Sequence, residues 1–395
     1  MKNPNLKSLG NQAKFWFKLL MLACLTVAAT GWAQSSATLT AQDYGALPSR
    51  ALVSVSPRGD QIAFRATEED SDLVLVYSLE KQEVTAGVDV STVMPNHLHF
   101  IRNDTLVMVA SEIKTLWGYE GENEVSTAFS LNTETGKVQQ LLTPGDQILD
   151  GQLGLGQVVG LSKDREYAFM PALLPNRKRG LMKVDLSNPR RPRTDYKGHF
   201  DAEDFFLDRQ GEIIAQERYD NENNRYSIHV PDGWGWQSIY ERDSELRDFS
   251  VAGLTPDYQS LVALKENPDT GRTDYFQLSL EDGSLSELGV SRKDADVARV
   301  ITDLNRVAIG VSYAGFTPSY DFFDSALDRR VKAVQEAFKG HAVSLKDWSQ
   351  DWEHAVFYVE GPASSGDYYL HTRGEGLKHI TAARPNIPTE AIHPV

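Results

Sequence analysis

Cysteine is almost absent. The single one among 395 residues, Cys24, sits in an apolar run near the start, and none follows it. That excludes a disulfide-stapled fold and a thiolate nucleophile or metal ligand in the rest of the chain. Basic residues are outnumbered, 40 Lys and Arg against 55 Asp and Glu, for a net charge of −15. Nucleic acid or an anionic membrane is therefore a poor main partner. Long apolar runs are scarce too. The longest, residues 19–29, is too short to cross a bilayer comfortably as a helix. The Gly-x-Ser-x-Gly pentapeptide of an α/β-hydrolase nucleophile does not occur. Residues 310–315, Gly-Val-Ser-Tyr-Ala-Gly, are one residue too long, and Ser312 reads as a strand residue.

The apolar run has a context. Lys2, Lys7, Lys14 and Lys18 precede it with no acidic residue, and Gly31-Trp32-Ala33 follows it. Residues 1–33 thus read as a secretory signal peptide, cut after Ala33. An uncleaved anchor, or a lipid anchor on Cys24, is the alternative. Beyond residue 33 the balance is 36 basic against 55 acidic side chains, a net of −19. After cleavage no membrane association is expected.

What is plentiful is a short pattern that recurs. Residues 52–79 read as three strands, with a first turn at Ser56-Pro57-Arg58-Gly59 and a second in the acidic stretch Glu68-Glu69-Asp70-Ser71. Aligning on the first apolar residue after the first turn gives Ile62, Leu106, Tyr167, Ile213, Leu261, Val307 and Ala355. Five of the six gaps are 44 to 48 residues, and the sixth is 61, with an extra loop placed near residues 111–127. A later turn recurs at residues 133–136, 231–233, 281–283 and 374–376, each between apolar runs. A unit of this period with two hairpin turns and a link predicts four antiparallel strands, a propeller blade. The fold class expected is all-β: a seven-bladed β-propeller of four-stranded antiparallel blades over residues 51–383. A β-sandwich with irregular hairpins is the alternative. Residues 34–50 are a lead-in and residues 384–395, with three prolines, a linker.

One helix is expected, inserted in the sixth blade over residues 323–338. Leu327, Val331, Val334 and Phe338 fall on one face, Asp324 or Ser325 caps the start, and Gly340 follows the end.

Other features offer little chemistry. His97 and His99 share a strand face, and Asp104 or another carboxylate would have to complete a metal site. No metal or cofactor is expected. Residues 154–160 miss the dinucleotide fingerprint by one position and read as a blade-linking turn. Glu68, Glu69, Asp70 and Asp72 read as a solvated hairpin tip rather than a clamp for a peptide amine. Arg177-Lys178-Arg179 and Arg190-Arg191-Pro192-Arg193 read as loop charges, and Trp234 and Trp236 as blade packing.

The order of features resembles a known family. A secretory signal, then residues 42–48 (Gln-Asp-Tyr-Gly-Ala-Leu-Pro) and 54–64 (Ser-Val-Ser-Pro-Arg-Gly-Asp-Gln-Ile-Ala-Phe), are similar to bacterial peptidases of the prolyl oligopeptidase family. So are Tyr320-Asp321-Phe322-Phe323-Asp324 and Ala383-Arg384-Pro385-Asn386-Ile387. The resemblance implies a propeller that caps a serine-peptidase cavity and admits short peptides. It also implies an α/β-hydrolase domain supplying serine, aspartate and histidine, absent from these 395 residues. No catalytic residue is then expected in the chain. A stand-alone periplasmic propeller that binds a protein or peptide is the alternative, and an enzyme with its site in a central channel a further one.

Overall fold

The computed structural model of the chain describes residues 39–392, apart from 69, 70, 117, 146, 246, 247 and 363. The signal-peptide reading, like Glu69 and Asp70, lies outside the described residues. Among the described residues, strands run from Arg50 to Ala382 and form seven sheets in chain order, with two α-helices. Within each sheet, one added strand of the second apart, the strands follow the chain as an antiparallel meander.

The repeat is set by its first turn. In six sheets the residue four places into that turn has a left-handed backbone: Gly59, Arg165, Gly211, Tyr258, Arg306 and Trp352. Its N–H donates to the carbonyl three residues back, at Ser56, Ser162, Asp208, Thr255, Asp303 and Ser349. The side chain of that earlier residue accepts the N–H that opens the second strand. Ser56 takes Gln61 at 3.0 Å, Ser162 takes Tyr167 at 3.0 Å, and Thr255 takes Ser260 at 3.1 Å. Asp208 and Asp303 accept one residue earlier, from Glu212 and Val307. Short oxygen-bearing side chains favour turns because they satisfy backbone donors locally. All seven aligned residues lie at or beside the start of a second strand.

The expectation of four strands throughout is corrected at two sheets. The sixth has three strands, Val297–Thr302, Ala308–Tyr313 and Ser319–Phe322. The helix α2 (numbered after α1, Ala41–Gly45), Ser325–Ala337, takes the chain position of the fourth. Asp324 caps it, accepting from the N–H groups of Ala326 at 2.9 Å and Leu327 at 2.8 Å. Leu327, Val331 and Val334 are its buried face, whereas Phe338 is the C-cap and only half-buried.

The second sheet gains a fifth strand, Gly154–Leu155, parallel to Ser126 and Thr127. The long gap therefore resides chiefly in the connection from residue 141 to 159, rather than near 111–127. Residues 154–160 are not simply a turn, since Gly160–Leu161 opens the third sheet.

The chain divides into two compact units. The first comprises residues 1–112, 129–139 and 340–395, with the first and seventh sheets and most of the second. Val53, Val55, Ile62, Val356, Tyr368 and Leu370 form one of its cores. The second comprises residues 113–128 and 140–339, with the third to sixth sheets. Phe206, Tyr226, Ile228, Phe249 and Leu261 belong to one of its cores.

Candidate functional site

In the first unit the two ends of the sheet-forming chain meet. The Arg50 N–H donates to the Ala383 carbonyl at 3.1 Å, and the Ala383 N–H donates to Gly366 at 2.8 Å. Ahead of them, α1 docks on the exit segment, where the Tyr44 hydroxyl donates to the Ala391 carbonyl at 2.9 Å. Arg384 Nε reaches back to the Ala46 carbonyl at 3.4 Å. Thr40 and Asp43 cap α1 reciprocally. The first and last sheets are each built from contiguous chain, so neither lends the other a strand. Beside the Arg50–Ala383 hydrogen bond, side chains join them. Asp347, on the first strand of the seventh sheet, accepts from Ser54 Oγ at 2.6 Å and from the Val55 N–H at 2.9 Å. Ser54 Oγ accepts in turn from the Phe100 N–H of the second sheet at 3.2 Å.

In the second unit, charge is partly buried on the fourth sheet. Asp204 and Glu217 lie opposite each other on its first two strands, Ala202–Leu207 and Ile213–Asp220. Arg306, from the first turn of the sixth sheet, pairs with Asp204 at 2.5 Å and lies over the Phe206 ring at 4.4 Å. Burial, then the Asp204 charge, push the Glu217 carboxyl up to about 7, and Glu203 adds to this. Tyr226 and Arg306 pull the other way. The Tyr226 hydroxyl faces the Glu217 carboxyl without closing a hydrogen bond.

Two constellations resemble parts of a nucleophile. Ser227 Oγ lies 3.0 Å from His229 Nε2 on the fourth sheet. A triad needs the other imidazole nitrogen held by a carboxylate, which fixes the tautomer. His229 Nδ1 is buried with no partner, and burial, then Arg218, drive the imidazole down to about 4. Such a ring is a weak base at neutral pH. On the seventh sheet Asp367 takes hydrogen bonds from Ser364 and, at 2.9 Å, from His379. There the carboxylate is in the middle, so no imidazole touches the serine to accept its proton. Ser312 pairs with Tyr320 inside the sixth sheet, a strand residue as its neighbours suggested.

The weaker sequence signals resolve individually. The His97 and His99 rings stack 6.2 Å apart on one strand face. Asp104 is not turned to them. It accepts from Arg102 at 3.1 Å and Thr105 at 2.9 Å, which corrects it as a third ligand. Glu68 and Asp72 are bound to Arg50 and Arg65, at 3.4 and 2.5 Å. The packing assigned to both tryptophans holds for Trp236, which lies beside Tyr196 and Arg218. It fails for Trp234, at the hairpin tip and fully exposed. Sequence reasoning missed the Asp204–Glu217–Arg306 group. Its one signal was an acidic residue inside each of two apolar runs.

No protein-family model matches the chain, and no curated protein matches it. Solved structures do. A prolyl endopeptidase, studied for the role of inter-domain dynamics in catalysis and specificity, is 10% identical. The match covers 86% of this chain and 50% of that one, with a TM-score of 0.50. The β-propeller domain of the Trilobed protease from Pyrococcus furiosus, described as having an open velcro topology, is 11% identical. It matches over 85% of this chain and 96% of its own, with a TM-score of 0.48. Puromycin hydrolase is 13% identical, over 87% of this chain and 56% of that one, with a TM-score of 0.47. The chain spans about half the length of the prolyl endopeptidase and puromycin hydrolase chains. Seven sheets, mainly four-stranded, give the fold of a seven-bladed β-propeller, which is similar to about half of the prolyl endopeptidase chain.

Proposed function

We propose that this chain is the non-catalytic, substrate-gating propeller of a secreted or periplasmic prolyl oligopeptidase-type serine peptidase. The observation that carries the reading is the junction of Arg50 with Ala383, braced by Tyr44 and Arg384. Chain enters and leaves the sheets at one place, so a domain joined there would be held by two adjacent connections. That domain would be an α/β-hydrolase supplying a serine nucleophile, an imidazole base and oxyanion donors. The propeller's share would be to exclude folded proteins and admit short peptides. The lysine-rich, then apolar, start of the chain supports export.

Sequencing the coding DNA beyond the codon for Val395 tests the reading. The expected result is a hydrolase-coding region with a Gly-x-Ser-x-Gly elbow, in frame or just out of it. A stop codon with no such region downstream would contradict it.

A further inference from the structure

The first turn of the sixth sheet is unlike the other first turns in what it touches. The third and sixth sheets are the two ends of the second unit's run of four, yet residues 303–306 bind the third, fourth and fifth. Asn305 Oδ1 accepts from the Leu161 N–H of the third sheet at 2.8 Å. Arg306 pairs with Asp204 of the fourth. The Arg306 carbonyl accepts from the Leu254 N–H of the fifth at 2.7 Å, beside a parallel bridge between Leu254 and Val307. The fit is close: a Cβ at Gly253 would lie 2.2 Å from the Arg306 carbonyl oxygen. Asp303 shapes the turn by accepting from the Asn305 and Val307 N–H groups, both at 2.9 Å.

We propose that residues 303–306 are a latch, which clamps the first strands of three sheets while Glu217 holds its proton and releases them when Glu217 ionises. The charged and titratable groups facing Glu217 are Asp204, Glu203, Arg306 and Tyr226, with Tyr240 behind Tyr226. With Glu217 neutral, the guanidinium and the Asp204 carboxylate balance. Ionisation puts a second carboxylate directly across the strands from the first, and like charges so opposed repel. One guanidinium, already fixed over Phe206, cannot satisfy both. Lifting Arg306 admits water to the carboxylates.

Two amides report directly on the seat, those of Leu161 and Leu254. Hydrogen exchange followed by NMR on the whole chain, corrected for intrinsic rates, would be compared at about pH 6 and about pH 8.5. The expected result is a fall in protection of both amides of at least about tenfold. The Val356 amide of the seventh sheet should hold, and Glu217→Gln should remove the fall. Asn305→Ala should expose Leu161 and leave Leu254 protected, which ties each amide to its partner. Protection unchanged with pH, an equal fall in Glu217→Gln, or an equal fall at Val356 would overturn the latch.

Discussion

Glu217→Gln should be more stable than the parent chain at pH 8 by about 2–3 kcal/mol, an advantage that shrinks as pH falls and vanishes below about pH 4.5. The sign follows from proton binding. The Glu217 carboxyl is raised in the folded chain to about 7 from an ordinary 4.5. Between those values the folded state holds a proton that the unfolded state has lost, so stability falls as pH rises. Above the folded value the full cost of the partly buried second charge remains. Glutamine keeps the shape and hydrogen-bonding capacity without the charge.

The parent curve alone is a poor test. His229 is lowered to about 4 from 6.5 by its own burial and by Arg218. It adds stability as pH rises over much the same window, because its unfolded form binds the extra proton there. The two slopes oppose each other, and only the difference between parent and variant isolates Glu217. Urea denaturation at several pH values gives that difference. A constant offset would mean that the carboxyl is ionised throughout or hydrated.

Asp347→Ala should cost about 3 kcal/mol in guanidinium denaturation. The Val55 N–H and the Ser54 hydroxyl both give their hydrogen bonds to this carboxylate, and Ser54 is fully buried. Removing the acceptor leaves two donors desolvated without partners, at roughly 1–3 kcal/mol each. Asp347→Asn keeps an acceptor oxygen and should lose about a third as much. The effect is large because the seventh sheet takes no strand from the start of the chain. What joins it to the first sheet is side-chain packing, the Arg50–Ala383 backbone hydrogen bond and this carboxylate. A loss under about 0.5 kcal/mol would show that apolar contacts such as Val53 with Val356 suffice.

The sheet repeat was legible because its cause is local. Ser56, Ser162, Thr255 and Ser349 shape turns within five residues of themselves, and turn chemistry of that range is written in sequence. The helix was legible for the same reason, through Asp324 and a four-three-four apolar spacing. The fifth strand of the second sheet was not, since two residues, Gly154 and Leu155, carry no periodicity. The missing strand of the sixth sheet was not, because α2 stands in its place only once folded. α1 was passed over: Thr40 and Asp43 make a capping box with aspartate in the usual glutamate position, ahead of only five helical residues. The latch was invisible for a different reason. Nothing near Arg306 in sequence names Asp204, which lies 102 residues away. Trp234 was misread because an aromatic beside a turn looks the same whether it packs inward or points out.

The central claim is that the described sheets gate peptides for a nucleophile they do not carry. Treating the purified chain with a fluorophosphonate probe, which labels activated serines, tests it most directly, followed by mass spectrometry and a panel of peptide anilides. The account predicts no labelled serine, Ser227 and Ser364 included, and no turnover. A labelled serine whose substitution by alanine abolished anilide hydrolysis would contradict it.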